Sequence, residues 1–130
     1  MNKIALVIED EVLSIRVIEQ LLKLESVDVI ALHISHEAEF SSKIQEVGNV
    51  DVIFLDLRFD NVSGLDLIKQ LRQDEDFSHV PIIAYTVNFG NIALIYQHGF
   101  DGILGKPLDA ETFPQQLHAI FQGEKVTYIP

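Results

Sequence analysis

The stretch Val52-Ile53-Phe54-Leu55-Asp56 decides the fold, because four apolar residues end abruptly in a carboxylate. A short apolar run with polar residues on both sides is typical of a strand buried on both faces, as in parallel sheets. Ligands of open α/β sheets bind at the carboxyl edge of the strands. We therefore expect Asp56 to present its carboxylate in a crevice at that edge.

Apolar strand patterns and helical patterns alternate on both sides of this stretch. The predicted strands cover residues 4–8, 27–32, 50–55, 82–86 and 101–104. The predicted helices cover residues 12–25, 37–47, 65–73 and 88–98, and a last helix begins near Phe113, with Pro114 in its first turn, and ends near residue 121. Strict alternation predicts a doubly wound α/β fold with a five-stranded parallel sheet. Residues 1–123 form this predicted domain, and residues 124–130 are a tail with no clear assignment.

Length and composition indicate one globular domain and disfavour several classes of partner. The chain has 130 residues, 48% of them hydrophobic, and no cysteine, which removes disulfides and thiolate metal sites. Its formal net charge of −11 disfavours direct binding to nucleic acid or to anionic membranes. No apolar run approaches the roughly 20 residues of a membrane span, and the run at residues 4–8 is shorter than the apolar region expected of a signal peptide. We expect a cytoplasmic protein.

Polar residues stand at the carboxyl ends of four of the five predicted strands. They are Glu9 and Asp10, Asp56, Thr86, and Lys106. Carboxylates suit Mg²⁺, and a second oxygen of Asp56 can act as a nucleophile toward phosphorus. A metal ion, an ammonium and a hydroxyl can neutralise phosphoryl oxygens. Each residue alone fits a solvated helix start, a turn, a strand or the surface, but their joint placement favours phosphoryl chemistry.

The spacing of these residues resembles the receiver domain of two-component response regulators over nearly the whole chain. The matching segments are ALVIEDE (5–11), DVIFLDLRFDNVSGLDLIKQLR (51–72), VPIIAYT (80–86) and HGFDGILGKPL (98–108). The resemblance implies a flavodoxin-like (βα)5 fold with strand order 2-1-3-4-5. It also implies a phosphoprotein of the single-domain, chemotaxis-regulator kind, whose only catalysis is its own phosphorylation and dephosphorylation.

By this resemblance, Asp56 accepts a phosphoryl group from a sensor histidine kinase or a phosphotransfer protein. Asp10 is then the direct ligand of Mg²⁺ or Mn²⁺, and Glu9 is the second acid. The backbone carbonyl of Arg58 completes the protein's share of the metal shell. An unknown downstream protein would bind the switched form, and we expect the chain to be a monomer or a weak dimer.

The resemblance also assigns the residues that would respond to phosphorylation. Thr86 resembles the switch hydroxyl, Lys106 the phosphate-pairing lysine, and Pro107 a residue that follows a cis peptide bond. Two positions depart from the family pattern. Ile103 stands where an aromatic residue often reports phosphorylation, and Val87 stands where a small residue is common and is expected to crowd the site.

Two further positions fall where the family varies its dephosphorylation rate, namely Arg58 and Asn88. Asp60 replaces the proline usual four residues after the acceptor, which predicts a less rigid loop.

Three alternatives remain open on the residues alone. A pseudo-receiver would bind proteins without being phosphorylated. An aspartyl-phosphate phosphatase of the haloacid dehalogenase type would need an acid two residues after Asp56, where Arg58 stands. A flavodoxin-like cofactor binder would need a glycine- or hydroxyl-rich phosphate loop after the first strand, and that strand is followed by acids instead.

Overall fold

Strands and helices alternate along the computed structural model as the apolar pattern predicts. The structure describes residues 2–59, 62–87 and 90–130. The strands are β1 (Lys3–Ile8), β2 (Val27–Leu32), β3 (Val52–Leu55), β4 (Arg58–Phe59), β5 (Val62–Ser63), β6 (Ile82–Thr86), β7 (Gly102–Gly105) and β8 (Val126–Tyr128). The helices are α1 (Val12–Leu24), a 3-10 turn (Glu37–Glu39), α2 (Phe40–Ile44), α3 (Gly64–Gln73), α4 (Ile92–Gln97) and α5 (Phe113–Phe121).

The main sheet is parallel and has the order β2-β1-β3-β6-β7-β8. Its first five strands confirm the predicted α/β fold and the order 2-1-3-4-5. The sixth strand, β8, comes from the segment 124–130 that the sequence left unassigned. It pairs with β7 in the register Gly102↔Val126 and Leu104↔Tyr128.

The central strand β3 separates two apolar clusters, one on each face of the sheet. Ile53 and Leu55 pack into one cluster with residues of α3, and Val52 and Phe54 pack into the other with residues of α1 and α5. All four side chains have no exposed surface, so the prediction of a strand buried on both faces is confirmed. Burying a side chain of this size contributes roughly 1.5–3 kcal/mol. In residues 2–59, 62–87 and 90–130, no helix is long and apolar enough to cross a membrane.

The second helix is shorter than the residues 37–47 that the sequence predicted. A 3-10 turn precedes a five-residue α2, and Ser42 donates a hydrogen bond from its hydroxyl to the Glu39 carbonyl at 3.1 Å. Serine side chains that bond to the nearby backbone compete with helix formation, which is consistent with the reduced length.

The fourth helix begins at Ile92 and not at residue 88. The Asn91 side chain accepts a hydrogen bond from the Leu94 amide at 3.1 Å, which makes Asn91 the N-cap. The last helix begins at Phe113 with Pro114 in its first turn, as predicted. The predicted loop after β3 contains the short antiparallel strands β4 and β5.

One arginine joins three segments at the amino edge of the sheet. The Arg72 guanidinium donates to the carbonyl oxygens of Val80 and Gly99, each at 2.8 Å, and pairs with Asp101 Oδ2 at 2.5 Å. The same Asp101 oxygen accepts a hydrogen bond from the Ile82 amide at 2.9 Å. We call Arg72, Asp101 and these backbone partners the amino-edge cluster. It connects α3 to the starts of β6 and β7.

Candidate functional site

The pairing of β1 with β3 brings their terminal acids together at the carboxyl edge. Ile8 and Leu55 are register partners, and the Asp56 amide donates a hydrogen bond to the Ile8 carbonyl at 3.1 Å. Glu9, Asp10 and Asp56 each offer one carboxylate oxygen, and these three oxygens lie within 4.8 Å of one another. The structure therefore brings together the three acids that the sequence placed at one edge.

Glu9 is the most deeply buried of these acids, with no exposed surface. Its Oε1 accepts hydrogen bonds from the amides of Asp10 and Glu11, both at 3.1 Å. Burial raises the pKa of Glu9 to about 7; the hydrogen bond from Lys106 opposes this shift and the nearby Asp56 charge adds to it. The Glu9 carboxyl is thus costly to ionise unless a cation lies beside it.

Lys106 supplies a cation from the far side of the crevice. Because Thr86 and Gly105 are register partners in β6 and β7, the next residue along, Lys106, lies beside the end of β6, and its amide donates to the Thr86 carbonyl at 3.0 Å. Its ammonium pairs with Glu9 Oε2 and lies 3.6 Å from Asp56 Oδ2. The Lys106–Pro107 peptide bond is cis, as the resemblance implies.

Gly64 explains why the spacing between Asp56 and the next helix matters. A Cβ atom at residue 64 would lie 2.2 Å from the Asp56 carbonyl oxygen, and the Gly64 amide donates to the Leu57 carbonyl at 2.8 Å. Real Cβ atoms do not approach backbone that closely. A residue without a side chain therefore lets the start of α3 pack directly against the backbone of the Asp56 loop.

The donor set fits a divalent cation that prefers oxygen ligands. Mg²⁺ is usually held by one or two carboxylates together with waters and phosphate oxygens, and three clustered carboxylates meet that need. Arg58 lies next to them, since its amide lies 3.4 Å from Asp56 Oδ1. Three acids against the single ammonium of Lys106 leave an excess of negative charge that a divalent ion would balance.

Comparison with known proteins decides the family. The family model described as the response regulator receiver domain matches residues 5–118. This chain belongs to the response regulator receiver domain family. Receiver domains are signalling modules that bind Mg²⁺ at an acidic pocket and interact with histidine kinases, phosphotransfer proteins and downstream effectors.

Similar proteins agree with this assignment. The polar-differentiation response regulator DivK of Brucella ovis is 28% identical over 115 residues, which are 87% of this receiver and 91% of DivK. The chemotaxis response regulator CheY4 of Vibrio cholerae has the same fold, with a TM-score of 0.78 and 21% identity over 92% of this chain and 99% of CheY4. The receiver domain of the sensor histidine kinase PA1611 of Pseudomonas aeruginosa has a TM-score of 0.78 and 24% identity, over 94% and 99% of the two chains. That structure holds a magnesium ion in its active site cleft.

The remaining positions singled out by the sequence that the structure describes differ in their burial. Thr86 is fully buried at the end of β6, and Ile103 is fully buried in the core on β7. Val87 is 63% exposed and lines a cavity next to Lys106, and Arg58 is exposed on β4. Asp60 and Asn88 lie outside the described residues.

Sequence reasoning missed Tyr85, whose side chain reaches the same site. The Lys106 ammonium lies 4.7 Å from the centre of the Tyr85 ring. Burial, followed by the nearby Glu9 charge, raises the pKa of the Tyr85 hydroxyl, so it remains a neutral phenol. The available signal was an aromatic residue directly before Thr86, on a strand whose end was already assigned to the site.

Proposed function

We propose that this receiver domain accepts a phosphoryl group on Asp56 in a Mg²⁺-dependent reaction and so switches a protein-binding face. One observation carries the proposal. The Asp56 carboxylate lies within 4.8 Å of the acids that can hold a metal and 3.6 Å from the Lys106 ammonium. A nucleophile, acids that could hold a metal and a cation for the transferred group are thus close together.

The reaction is a phosphoryl transfer between two protein groups or from a small acyl phosphate. A carboxylate oxygen of Asp56 attacks phosphorus and forms a new P–O bond, while the P–N bond of a donor phosphohistidine breaks. The imidazole leaves with the electron pair and takes up a proton. Asp10, Asp56, Glu9 and the Arg58 carbonyl would hold Mg²⁺. The bound ion would supply positive charge to the phosphoryl oxygens. Lys106 and the Thr86 hydroxyl would pair with two of these oxygens.

An apolar surface beside the crevice supports docking of a phosphohistidine-bearing protein. A cavity of about 320 Å³ lies between α1 and the segment after β7, with Leu13, Val17, Val87 and Leu108 in its lining. Leu13 is 69% exposed. Exposed apolar patches of this kind mark sites of protein interaction. A donor helix that covers this surface would bring its phosphohistidine to Asp56.

The output face of the proposed switch comprises α4, β7 and α5 together with β8. Phosphorylation would add a charge of about −1.5 to −2 next to Thr86 and Lys106. The backbone bond from Lys106 to Thr86 connects the end of β6 to the segment that leads into α5. Movement at these two residues is therefore transmitted toward α4 and α5, where a downstream protein would bind.

Acetyl phosphate with Mg²⁺ tests the proposal directly. We expect the intact mass of the wild-type protein to rise by one phosphoryl group, and we expect no rise in Asp56→Asn or when EDTA removes the metal. Asp66→Asn is the matched control, because Asp66 is an exposed acid in the first turn of α3. It should be phosphorylated like the wild type.

The same experiment decides between this function and the pseudo-receiver alternative. A wild-type protein that gains no mass, or a gain that persists in Asp56→Asn, would contradict phosphorylation at Asp56. A pseudo-receiver would in addition bind its protein partner equally well before and after treatment with acetyl phosphate.

A further inference from the structure

The Tyr85 ring lies beside the site, on the face of the sheet that packs against α1 and α5. Tyr85 precedes Thr86 in β6, and because side chains alternate along a strand, the two point to opposite faces. Tyr85 is only 2% exposed and belongs to the cluster formed with α1 and α5. Neither metal binding nor phosphoryl transfer requires a direct contact with this ring.

The ring makes a close contact with the cation of the site. The Lys106 ammonium lies 4.7 Å from the ring centre, within the range of a cation–π interaction. The same ammonium pairs with Glu9 and lies 3.6 Å from Asp56 Oδ2. The Lys106 side chain is only 11% exposed, and a cation–π contact is stronger where water is excluded. The ammonium is therefore held between carboxylates and an aromatic ring.

The far end of the ring is also fixed. The Tyr85 hydroxyl donates a hydrogen bond to the Ser14 carbonyl oxygen in α1 at 2.9 Å. Ser14 is itself buried. Packing and this hydrogen bond together define where the ring lies.

We propose that Tyr85 is a positioning residue that holds the Lys106 ammonium beside Asp56. This inference rests on the proposed phosphorylation of Asp56. Glu9, the present partner of Lys106, also belongs to the acid set that fits a metal, so a bound metal would compete with Lys106 for this carboxylate. The ring is neutral and contacts the lysine from another direction. It keeps the ammonium in place for the incoming phosphoryl oxygens.

The contact itself can be measured by NMR in the unphosphorylated protein. Protons over an aromatic face shift upfield, so we expect the ε-methylene signal of Lys106 to lie upfield of its ordinary position in the wild type. Tyr85→Phe keeps the ring and should keep the shift, whereas Tyr85→Leu should lose it. An ordinary Lys106 signal in the wild type would overturn the inference, whatever the outcome of phosphorylation.

The effect on the reaction is measured with acetyl phosphate and Mg²⁺. We expect Tyr85→Leu to slow phosphorylation about fivefold, from the ordinary strength of a cation–π contact, and Tyr85→Phe to restore the wild-type rate within about twofold. In a Lys106→Met background, Tyr85→Leu should cause no further loss, because the two residues act through one contact. An unchanged rate in Tyr85→Leu, or an equal loss in both backgrounds, would overturn the inference.

Phe113→Leu is the matched control for general damage to the core. Phe113 is fully buried in the same cluster, on α5. It should lose stability yet keep both the rate and the Lys106 signal; loss of both would assign the effect to the core as a whole. If Tyr85→Leu does not fold, the wild-type and Tyr85→Phe spectra still decide the contact. A wild type that takes up no phosphoryl group contradicts the proposed function, and the ring shift then tests the positioning separately.

Discussion

The two edges of the same parallel sheet carry clusters of charged residues that differ in their balance of charge. At the amino edge, the Arg72 guanidinium meets the Asp101 carboxylate and several backbone carbonyl oxygens. At the carboxyl edge, the Lys106 ammonium meets Glu9 and Asp56, with Asp10 beside them. We call these four residues the carboxyl-edge cluster. One cation thus faces one acid at the first edge and three acids at the second.

This difference separates a stabilising cluster from one that is arranged for a ligand. Besides the Asp101 carboxylate, Arg72 bonds to backbone carbonyl oxygens in the segments before β6 and β7, so its hydrogen bonds fix the starts of these two strands. The carboxyl-edge cluster keeps like charges close together, which costs stability until a cation or a proton arrives. Functional sites commonly retain such unfavourable charge. Substitutions at the two edges should therefore act on different measurements.

The largest expected effect is that of Lys106→Met on phosphorylation. We expect the rate with acetyl phosphate to fall about 100-fold, because the variant loses a preorganised cation at the transferred group. Methionine keeps an unbranched apolar stem of similar length. The measurement is the initial rate of mass gain at saturating Mg²⁺.

Arg72→Met is the corresponding change at the other edge and serves as the control. It should leave the rate of phosphorylation within about twofold of the wild type once the protein is folded. A rate equal to that of the wild type in Lys106→Met would contradict the role of the ammonium.

For the free energy of unfolding we expect the reverse, with the larger effect at the amino edge. We expect Arg72→Met to lower the free energy of unfolding by about 2 kcal/mol, since carbonyl oxygens of Val80 and Gly99 lose a charged donor. The loss stays moderate because Asp101 is 45% exposed and water replaces part of the interaction. Urea denaturation of the metal-free protein measures this change. A loss below about 0.5 kcal/mol, the usual range of surface substitutions, would contradict a stabilising cluster.

The sequence predicted the carboxyl edge better than it predicted the rest of the sheet. Terminal acids could be placed because each follows a continuous apolar run, and parallel strands end at one edge. The three-residue β8 could not be assigned, since an alternation as short as Val126-Thr127-Tyr128 has no periodicity to detect. Its position depends on partners distant in sequence, above all Gly102, where a Cβ would lie 2.9 Å from the Val126 carbonyl oxygen.

Tyr85 and Arg72 show the other limit of sequence reasoning. Both looked like ordinary residues of a strand and a helix, because a single sequence does not reveal which distant atoms they meet. The Tyr85 hydroxyl bonds to a residue 71 positions earlier, and Arg72 bonds to a carbonyl 27 positions later. Such contacts are set by tertiary packing and not by any local pattern.

The affinity for Mg²⁺ should depend on pH through Glu9. The pKa of Glu9 in the folded, metal-free protein is raised from 4.5 to about 7. A raised pKa means that the stabilisation from this group is fully present below about pH 4.5 and is lost as the pH rises through about 7. Mg²⁺ competes with the same proton. We therefore expect its affinity to rise about tenfold from about pH 6 to about pH 8.

Calorimetric titration of Mg²⁺ at several pH values measures this rise. Glu9→Gln should bind Mg²⁺ more weakly and lose the pH dependence in that window. In the same variant, the free energy of unfolding of the metal-free protein should fall less steeply as the pH rises toward neutral. A wild-type affinity that stays constant between pH 6 and pH 8 would show that the Glu9 carboxyl is already ionised there.

The smallest expected effects come from replacing one acid at each edge. The two replacements should change the free energy of unfolding in opposite directions. Asp10→Asn removes one of three clustered carboxylates, so we expect the metal-free protein to gain roughly 0.5 kcal/mol and to lose most of its stabilisation by Mg²⁺. Asp101→Asn removes the counter-charge of Arg72, and we expect a loss of about 1 kcal/mol with normal stabilisation by Mg²⁺. Thermal unfolding with and without Mg²⁺ measures both. Two changes of the same sign would mean that the edges do not differ in charge balance, because only an excess of negative charge makes the removal of a carboxylate favourable.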